Sequence, residues 1–259
     1  MLAVAPRLRL SWAGYRRVRG TVRKRLRRRL AELGLADLDA YRSWMAEHAS
    51  EWPTLDAICR IPISRWVRDR GVYDVLVREI LPERARVARS EARGVRVLSA
   101  GCASGEEPYS VSLAWQVETA PAFADVACEI VASDLDETML ARAVAGCYER
   151  GSLREVPERW IAAGFAPRDD LWCVRDDVRA RVRFERRDLR DDAPDGPFDV
   201  VLCRNSAFTY FDDATRVAVA QRISDRLRPG GALVVGAHEQ IPQGLPFEPR
   251  APSTYTRAS

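Results

Sequence analysis

The sequence predicts an α/β protein with a helical region in front of it, and three observations carry that reading. From Val95 onward, short apolar runs alternate with stretches of helical spacing, the pattern of a parallel sheet covered on both faces. Ahead of them, apolar residues recur at intervals of three and four in charged segments, as on amphipathic helices. Where the two regions meet, one apolar run ends in Gly101-Cys-Ala-Ser-Gly105, whose glycines let the backbone approach a ligand before a helix begins.

Taken in order, Val18, Val22, Leu26, Leu30 and Leu33 form the stripe of a first helix that Gly34 stops. Asp37 or Asp39 caps a second helix through Tyr41, Trp44 and Met45. Pro53 and Pro62 break the next stretch, and Ser64 to Leu81 resumes helical spacing through Trp66, Val67, Val72, Leu76 and Ile80. The α/β part then reads as strand VRVLSA, helix 106–119, strand CEIVASD, helix 137–145, strand FDVVLC, helix 212–227 and strand GALVVGA. Between the second and third units, LWCV and RVRFE read as a short antiparallel pair, a small β insertion at about 165–187. The division expected is a helical domain over 1–85 and an α/β domain over 86–259.

Composition narrows the functional classes. The 259 residues are 47% apolar and 30% charged, with no apolar window long enough to cross a membrane, so membrane insertion is not expected. The first six residues are apolar and basic residues follow, the reverse of a secretory leader, so a cytoplasmic protein is expected. Six scattered cysteines without a C-x-x-C pair, and only two histidines, argue against a metal site and for free thiols in a reducing compartment. Residues 1–31 carry eleven basic and no acidic side chains; removing those charges from the net +4 leaves −7 for the rest. An acidic partner is implied, whether nucleic acid, anionic lipid or protein.

Chemistry belongs at the carboxyl ends of the strands. Ala100 closes the first, and the loop after it leads to Glu106 and Glu107, which would repel a pyrophosphate but suit a cationic ligand such as S-adenosylmethionine. Asp134 ends the second strand where a ribose diol would sit, while Asp136 reads as a helix cap. Asp188 with Leu189 suits an adenine amino group and ring. The fourth end, Cys203-Arg204-Asn205-Ser206 followed by Tyr210-Phe211-Asp212, delivers polar groups to the place where substrate and cofactor would meet.

Together, AGCASGEEPYSVSLAW, ASDLDETMLARAVAGCYERGSL, GPFDVVLCRNSAFTYFDD and LRPGGALVVGAHE resemble the CheR-type chemotaxis-receptor glutamate O-methyltransferases. RKRLRRRLAELGLADLDAYRSWM resembles that family's helical domain, and ISRWVRDRGVYDVL its segment before the catalytic domain, so the likeness spans about residues 15–257. It implies a Rossmann-like class I methyltransferase domain with a small inserted β-subdomain, preceded by a helical domain. It also implies S-adenosylmethionine as cofactor and glutamate side chains of an acidic receptor bundle as acceptors. Carried over by motif, the cofactor contacts fall on Ser64, Arg68, Ala100, Glu106, Asp134, Asp188, Leu189, Asn205 and Ser206, and Arg68 and Tyr210 fall at the methyl-transfer site. The chain departs from the family pattern at Pro62, at Asp188 in place of Asn, and at Ser206 in place of an apolar residue.

With a protein acceptor implied, the basic N-terminal helix becomes a docking face, nucleic acid is not expected, and a monomer suffices. A carboxylate is ionised at neutral pH, so no general base is required. The alternatives are methylation of a small molecule or of another protein, nucleic-acid binding through the basic helices, and a non-catalytic module. His238-Glu239 is assigned a structural role.

Overall fold

A computed structural model describes residues 7–258. The opening six residues, on which the absence of a leader was read, lie outside them. Two compact units divide between Pro62 and Ile63.

The first unit holds α1 (Arg19–Leu33), α2 (Leu38–Glu47) and α3 (Trp52–Cys59). Val22, Leu26 and Leu30 are the buried stripe of α1, and Gly34 ends it in the left-handed conformation that glycine adopts without cost. Asp37 caps α2, accepting the N–H groups of Asp39 and Ala40. The basic side chains on and just before α1 divide into two sets. Arg25 donates to the carbonyls of Ile58 and Arg60, and Arg29 forks onto the buried Glu51 at 2.7 and 2.8 Å. Arg16, Arg17, Arg23, Lys24 and Arg27 point outward and are exposed.

The second unit opens with α4 (Arg70–Val75), continuous through a wide turn with α5 (Leu81–Ser90), then β1 (Val95–Ala100) and α6 (Glu106–Ala114). The wide turn over 76–80 accommodates Pro82, which has no N–H to give the preceding turn. Next come β2 (Cys128–Asp134), α7 (Glu137–Ala145), β3 (Cys147–Glu149), α8 (Glu158–Gly164), β4 (Phe165–Arg168), β5 (Leu171–Val174), α9 (Asp176–Arg179) and β6 (Val182–Arg186). The chain closes with β7 (Phe198–Cys203), α10 (Ala207–Tyr210), α11 (Asp213–Arg226), β8 (Leu227–Val235), β9 (Phe247–Ala251) and β10 (Thr254–Arg257).

The main sheet has the order β6-β2-β1-β7-β8-β10-β9. β6 through β8 run parallel, and β10 alone runs the other way, antiparallel to both β8 and the edge strand β9. This is the Rossmann-like α/β architecture expected. From β1 the chain first builds outward to β2 and β6, then crosses to β7 on the other side. The crevice at the carboxyl ends of β1 and β7 is therefore the topological switch point, where ligands bind in such sheets.

Four expectations need correction. Residues 63–90 belong with the α/β unit rather than with a helical domain over 1–85, because Trp66, Val72, Leu76, Ile80 and Leu81 share one apolar cluster with Val95, Val97 and Tyr109. Within that stretch, 64–69 is not helical: Trp66 and Val67 are buried at helical spacing, but Val67 and Asp69 adopt left-handed backbone angles. The insertion is β3-β5-β4 over 147–174 rather than about 165–187, because LWCV pairs with Phe165–Arg168 and Cys147–Glu149, while Val182–Arg186 lies parallel to β2 in the main sheet. Finally, Cys147 and Cys173 stand opposite each other in the β3–β5 register and form a disulfide, leaving four free thiols. No helix among the described residues is long and apolar enough to cross a membrane.

Candidate active site

Four loops converge on the switch point. After β1, Gly101 turns with φ +83°, and a side chain there would stand 2.7 Å from Ser206 Oγ, so glycine is what lets the two strand ends meet. The same position lies 4.0 Å from Leu189 Cδ1, which brings the third loop to the same place. Ala100 is fully buried beneath it. Asp134 closes β2 and accepts the N–H of Ala103 at 2.8 Å and of Asp136 at 2.9 Å, one on each carboxylate oxygen. Burial pushes its carboxyl above the ordinary value, and those N–H groups oppose the rise. Asp136 caps α7 through the N–H of Met139, as read from sequence.

The two glutamates at the start of α6 have different roles. Glu106 is buried, and Ser104 Oγ reaches its two oxygens at 3.0 and 2.8 Å. Glu107 turns inward, accepting from Ser99 Oγ at 2.7 Å and from Arg204 at 3.2 Å. Burial raises its carboxyl while the Arg204 charge pulls the other way. Glu107 is thus neutralised internally, leaving Glu106 as the acidic group at the head of this helix.

After β7, Asn205 adopts φ +54° and donates its N–H to Glu239 at 2.6 Å; its own side-chain oxygen is buried without a partner. Ser206 caps α10 through the N–H of Ala207. α10 ends at Tyr210, whose phenol burial pushes above its ordinary value and the Arg68 charge draws back. Arg68 and Tyr210, 142 positions apart in sequence, therefore sense each other's charge. Arg68 also donates to the carbonyl of Ile63 at 3.2 Å. Ser64, on the same segment, is half-buried.

Asp188 is gripped by Arg190 at 2.7–3.1 Å, so the carboxylate that stands where Asn is usual has its own cation. Sequence reasoning gave no role to that cation or to Arg204, and it set Glu107 beside Glu106 toward a cationic ligand, whereas Glu107 turns inward onto Ser99 and Arg204. It assigned His238-Glu239 a structural role, and Glu239 has one in tying Asn205 to Thr209. Glu107, Arg204 and Glu239 act through contacts between residues far apart in the chain, a signal that periodicity does not carry, whereas Arg190 stands two positions from Asp188. Among the described residues no cluster of three or more His, Cys, Asp or Glu side chains forms a metal site.

Residues 63–254 match the family model described as CheR methyltransferase, SAM binding domain. A chemotaxis protein methyltransferase of Listeria innocua is 33% identical over 185 residues, 71% of this chain and 68% of that one. Another, from Klebsiella aerogenes, is 31% identical over 93% of this chain and 87% of that one. Among solved structures, the glycopeptide N-methyltransferase MtfA complexed with S-adenosyl-L-methionine matches with TM-score 0.35 and 21% identity, over 60% of this chain. This chain spans about half of that structure, 53% of its length.

Proposed function

The chain belongs to the CheR methyltransferase family, and on that premise we propose that it forms methyl esters on glutamate side chains of a chemoreceptor's cytoplasmic helical bundle. It is an S-adenosylmethionine-dependent methyltransferase. The residues at the switch point fit that cofactor: Asn205 presents a buried oxygen with no partner, Glu106 is an acidic group suited to a cationic amino acid, and Gly101 keeps the loop close. When bound, the cofactor supplies a methyl group made electrophilic by its sulfonium.

What supports the acceptor is that Arg68, whose carbonyl Arg204 holds, and Tyr210, at the end of α10, stand on the two segments that meet the turn after β7. A guanidinium and a phenol are donors suited to the two oxygens of a carboxylate, holding it without taking a proton from it. Holding reactants in attack geometry supplies roughly 7–11 kcal/mol of a barrier, so positioning is sufficient work for these residues. In this reading Ser64, Arg68, Ala100, Glu106, Asp134, Asp188, Leu189, Asn205 and Ser206 line the cofactor. Asp134 keeps lone pairs for the ribose, and Leu189 flanks the adenine. The exposed Arg16, Arg17, Arg23, Lys24 and Arg27 meet the acidic bundle, and the protein works in the cytoplasm as a monomer.

The test incubates the protein with methyl-labelled cofactor and a receptor cytoplasmic fragment. Base-labile label on the fragment, lost with Arg68→Ala, is expected. Label that resists mild base, or label on a small molecule alone, overturns the acceptor assignment.

A further inference from the structure

We infer that Arg204 is a positioning residue, which sets the place of Arg68 by clamping the strained loop that carries it. The loop is unusual on both sides of Arg68. Val67 has φ +47° and Asp69 φ +60°, a left-handed region that a β-branched residue such as valine seldom enters. Such backbone persists only where its surroundings over-determine it.

Three contacts do so here. Trp66 is fully enclosed, with the rings of Tyr148 and Phe165 edge-on at 4.9 and 5.1 Å. The N–H of Val67 donates to Ser110 Oγ at 3.3 Å. The third is Arg204, whose side chain is 1% exposed and whose Nη2 donates to the Arg68 carbonyl at 2.5 Å and to Asp69 at 2.9 Å. Arg204 alone of the three grips the peptide of Arg68 itself.

Arg204 is anchored in turn. Its Nη1 donates to Glu107, which also accepts from Ser99 at the end of β1, and its guanidinium lies 5.5 Å from the centre of the Tyr73 ring. One planar fork thus joins the Arg68 loop to β1 and to the helix that begins with Glu106. Lysine, a single ammonium, cannot span Glu107, Asp69 and a carbonyl together. The side chain is too enclosed to meet either substrate, so it acts through the groups it holds, and the only one of these at the methyl-transfer site is the Arg68 peptide.

This rests on the reading of Arg68 as a group at the methyl-transfer site, and the experiment separates the two. In the full chain, Arg204→Lys should speed amide hydrogen exchange over residues 63–69 at least tenfold, while strands 95–100 and 128–134 keep wild-type rates. With a receptor fragment, Arg204→Lys should lower kcat at least tenfold and change the cofactor KM less than threefold. In an Arg68→Ala background the same substitution should cost nothing further. Unchanged exchange at 63–69, or losses that multiply in the double variant, overturns the positioning role. An Arg68→Ala variant with full activity, or no methylation of any fragment by the wild type, overturns the reading of the site, and the exchange result still decides the clamp. If Arg204→Lys does not fold, Asp69→Asn removes one arm at a partly exposed side chain and should shift exchange the same way by a smaller factor; no shift counts against the clamp.

Discussion

Glu239 accepts the backbone N–H of Asn205 across 34 positions of sequence, at 2.6 Å, and with its other oxygen accepts the hydroxyl of Thr209 at 2.6 Å. It also takes the N–H of Gly236 at 2.7 Å. One carboxylate therefore fixes the turn after β7 at both ends. Glu239→Gln puts an amide donor against one of these donors, a loss of about 1–3 kcal/mol. Affinity for S-adenosylhomocysteine should fall about tenfold or more, measured by titration calorimetry, and Thr209→Val should lose less.

Asp134 organises the turn after β2 in the same manner. An asparagine keeps one accepting oxygen, so Asp134→Asn leaves either Ala103 or Asp136 without an acceptor. The expected cost is about 1–3 kcal/mol, read as a lower Tm together with weaker S-adenosylhomocysteine binding. Wild-type binding with a lowered Tm alone would confine Asp134 to the scaffold.

Gly105 sits at φ +92°, and a side chain there would come within 2.8 Å of Ala143 Cβ. Gly105→Ala should therefore destabilise the chain by more than about 1 kcal/mol, from backbone strain and from displacement of α7. Gly20, with nothing within 4 Å, is the control: Gly20→Ala should leave stability unchanged or raise it by up to about 1 kcal/mol. Thermal melting of both variants decides.

The buried Glu51 gives the first unit a pH dependence. Its carboxyl lies below the ordinary value chiefly because Arg29 forks onto it, with Tyr41 O–H adding a third donor at 2.8 Å against the cost of burial. A carboxyl lowered in the folded state stabilises fully above its unfolded value near 4.5 and loses that contribution as pH falls through the lower folded value. Glu51→Gln should cost about 2 kcal/mol at pH 7. That difference should shrink as the pH is taken down from about 4.5, in denaturant titrations at each pH.

The two sets of arginines on α1 separate docking from stability. Replacing Arg23, Lys24 and Arg27 by alanine should raise the KM for a receptor fragment severalfold at low salt, with little effect at 0.5 M salt and none on Tm. Arg25→Ala removes two hydrogen bonds to carbonyls at the end of α3 and should cost about 1 kcal/mol with the salt response intact. A triple variant that loses stability would mean that the outward set also holds the fold.

The alternation from Val95 placed β1, β2, β7 and β8 closely, since strands buried on both faces write themselves as unbroken apolar runs, while the half-exposed β6 was read into the insertion. Helix 137–145 was legible to the residue because Asp136 caps it and Gly146 ends it. The segment 64–69 was misread because burial of Trp66 and Val67 imitates helical spacing, whereas left-handed angles at Val67 and Asp69 leave no trace in hydropathy. β9 and β10 were not picked out, since Pro249 and Pro252 break their runs and only the pairing with β8 makes them strands. At the site, the strand-end residues Ala100, Asp134 and Asn205 could be found by position. The partners of Arg204 and Glu107 could not, because they become neighbours only on folding.

The small sheet β3-β5-β4 leaves the chain after α7 and returns to it before α9 and β6, so it hangs from a single crossover between two adjacent parallel strands. Neither the order of the main sheet nor any of its pairings depends on what that crossover contains. Evolution can therefore lengthen or reshape the exposed turn at 166–171, and an engineer can graft a different recognition module there, provided that Tyr148 and Phe165 stay packed on Trp66.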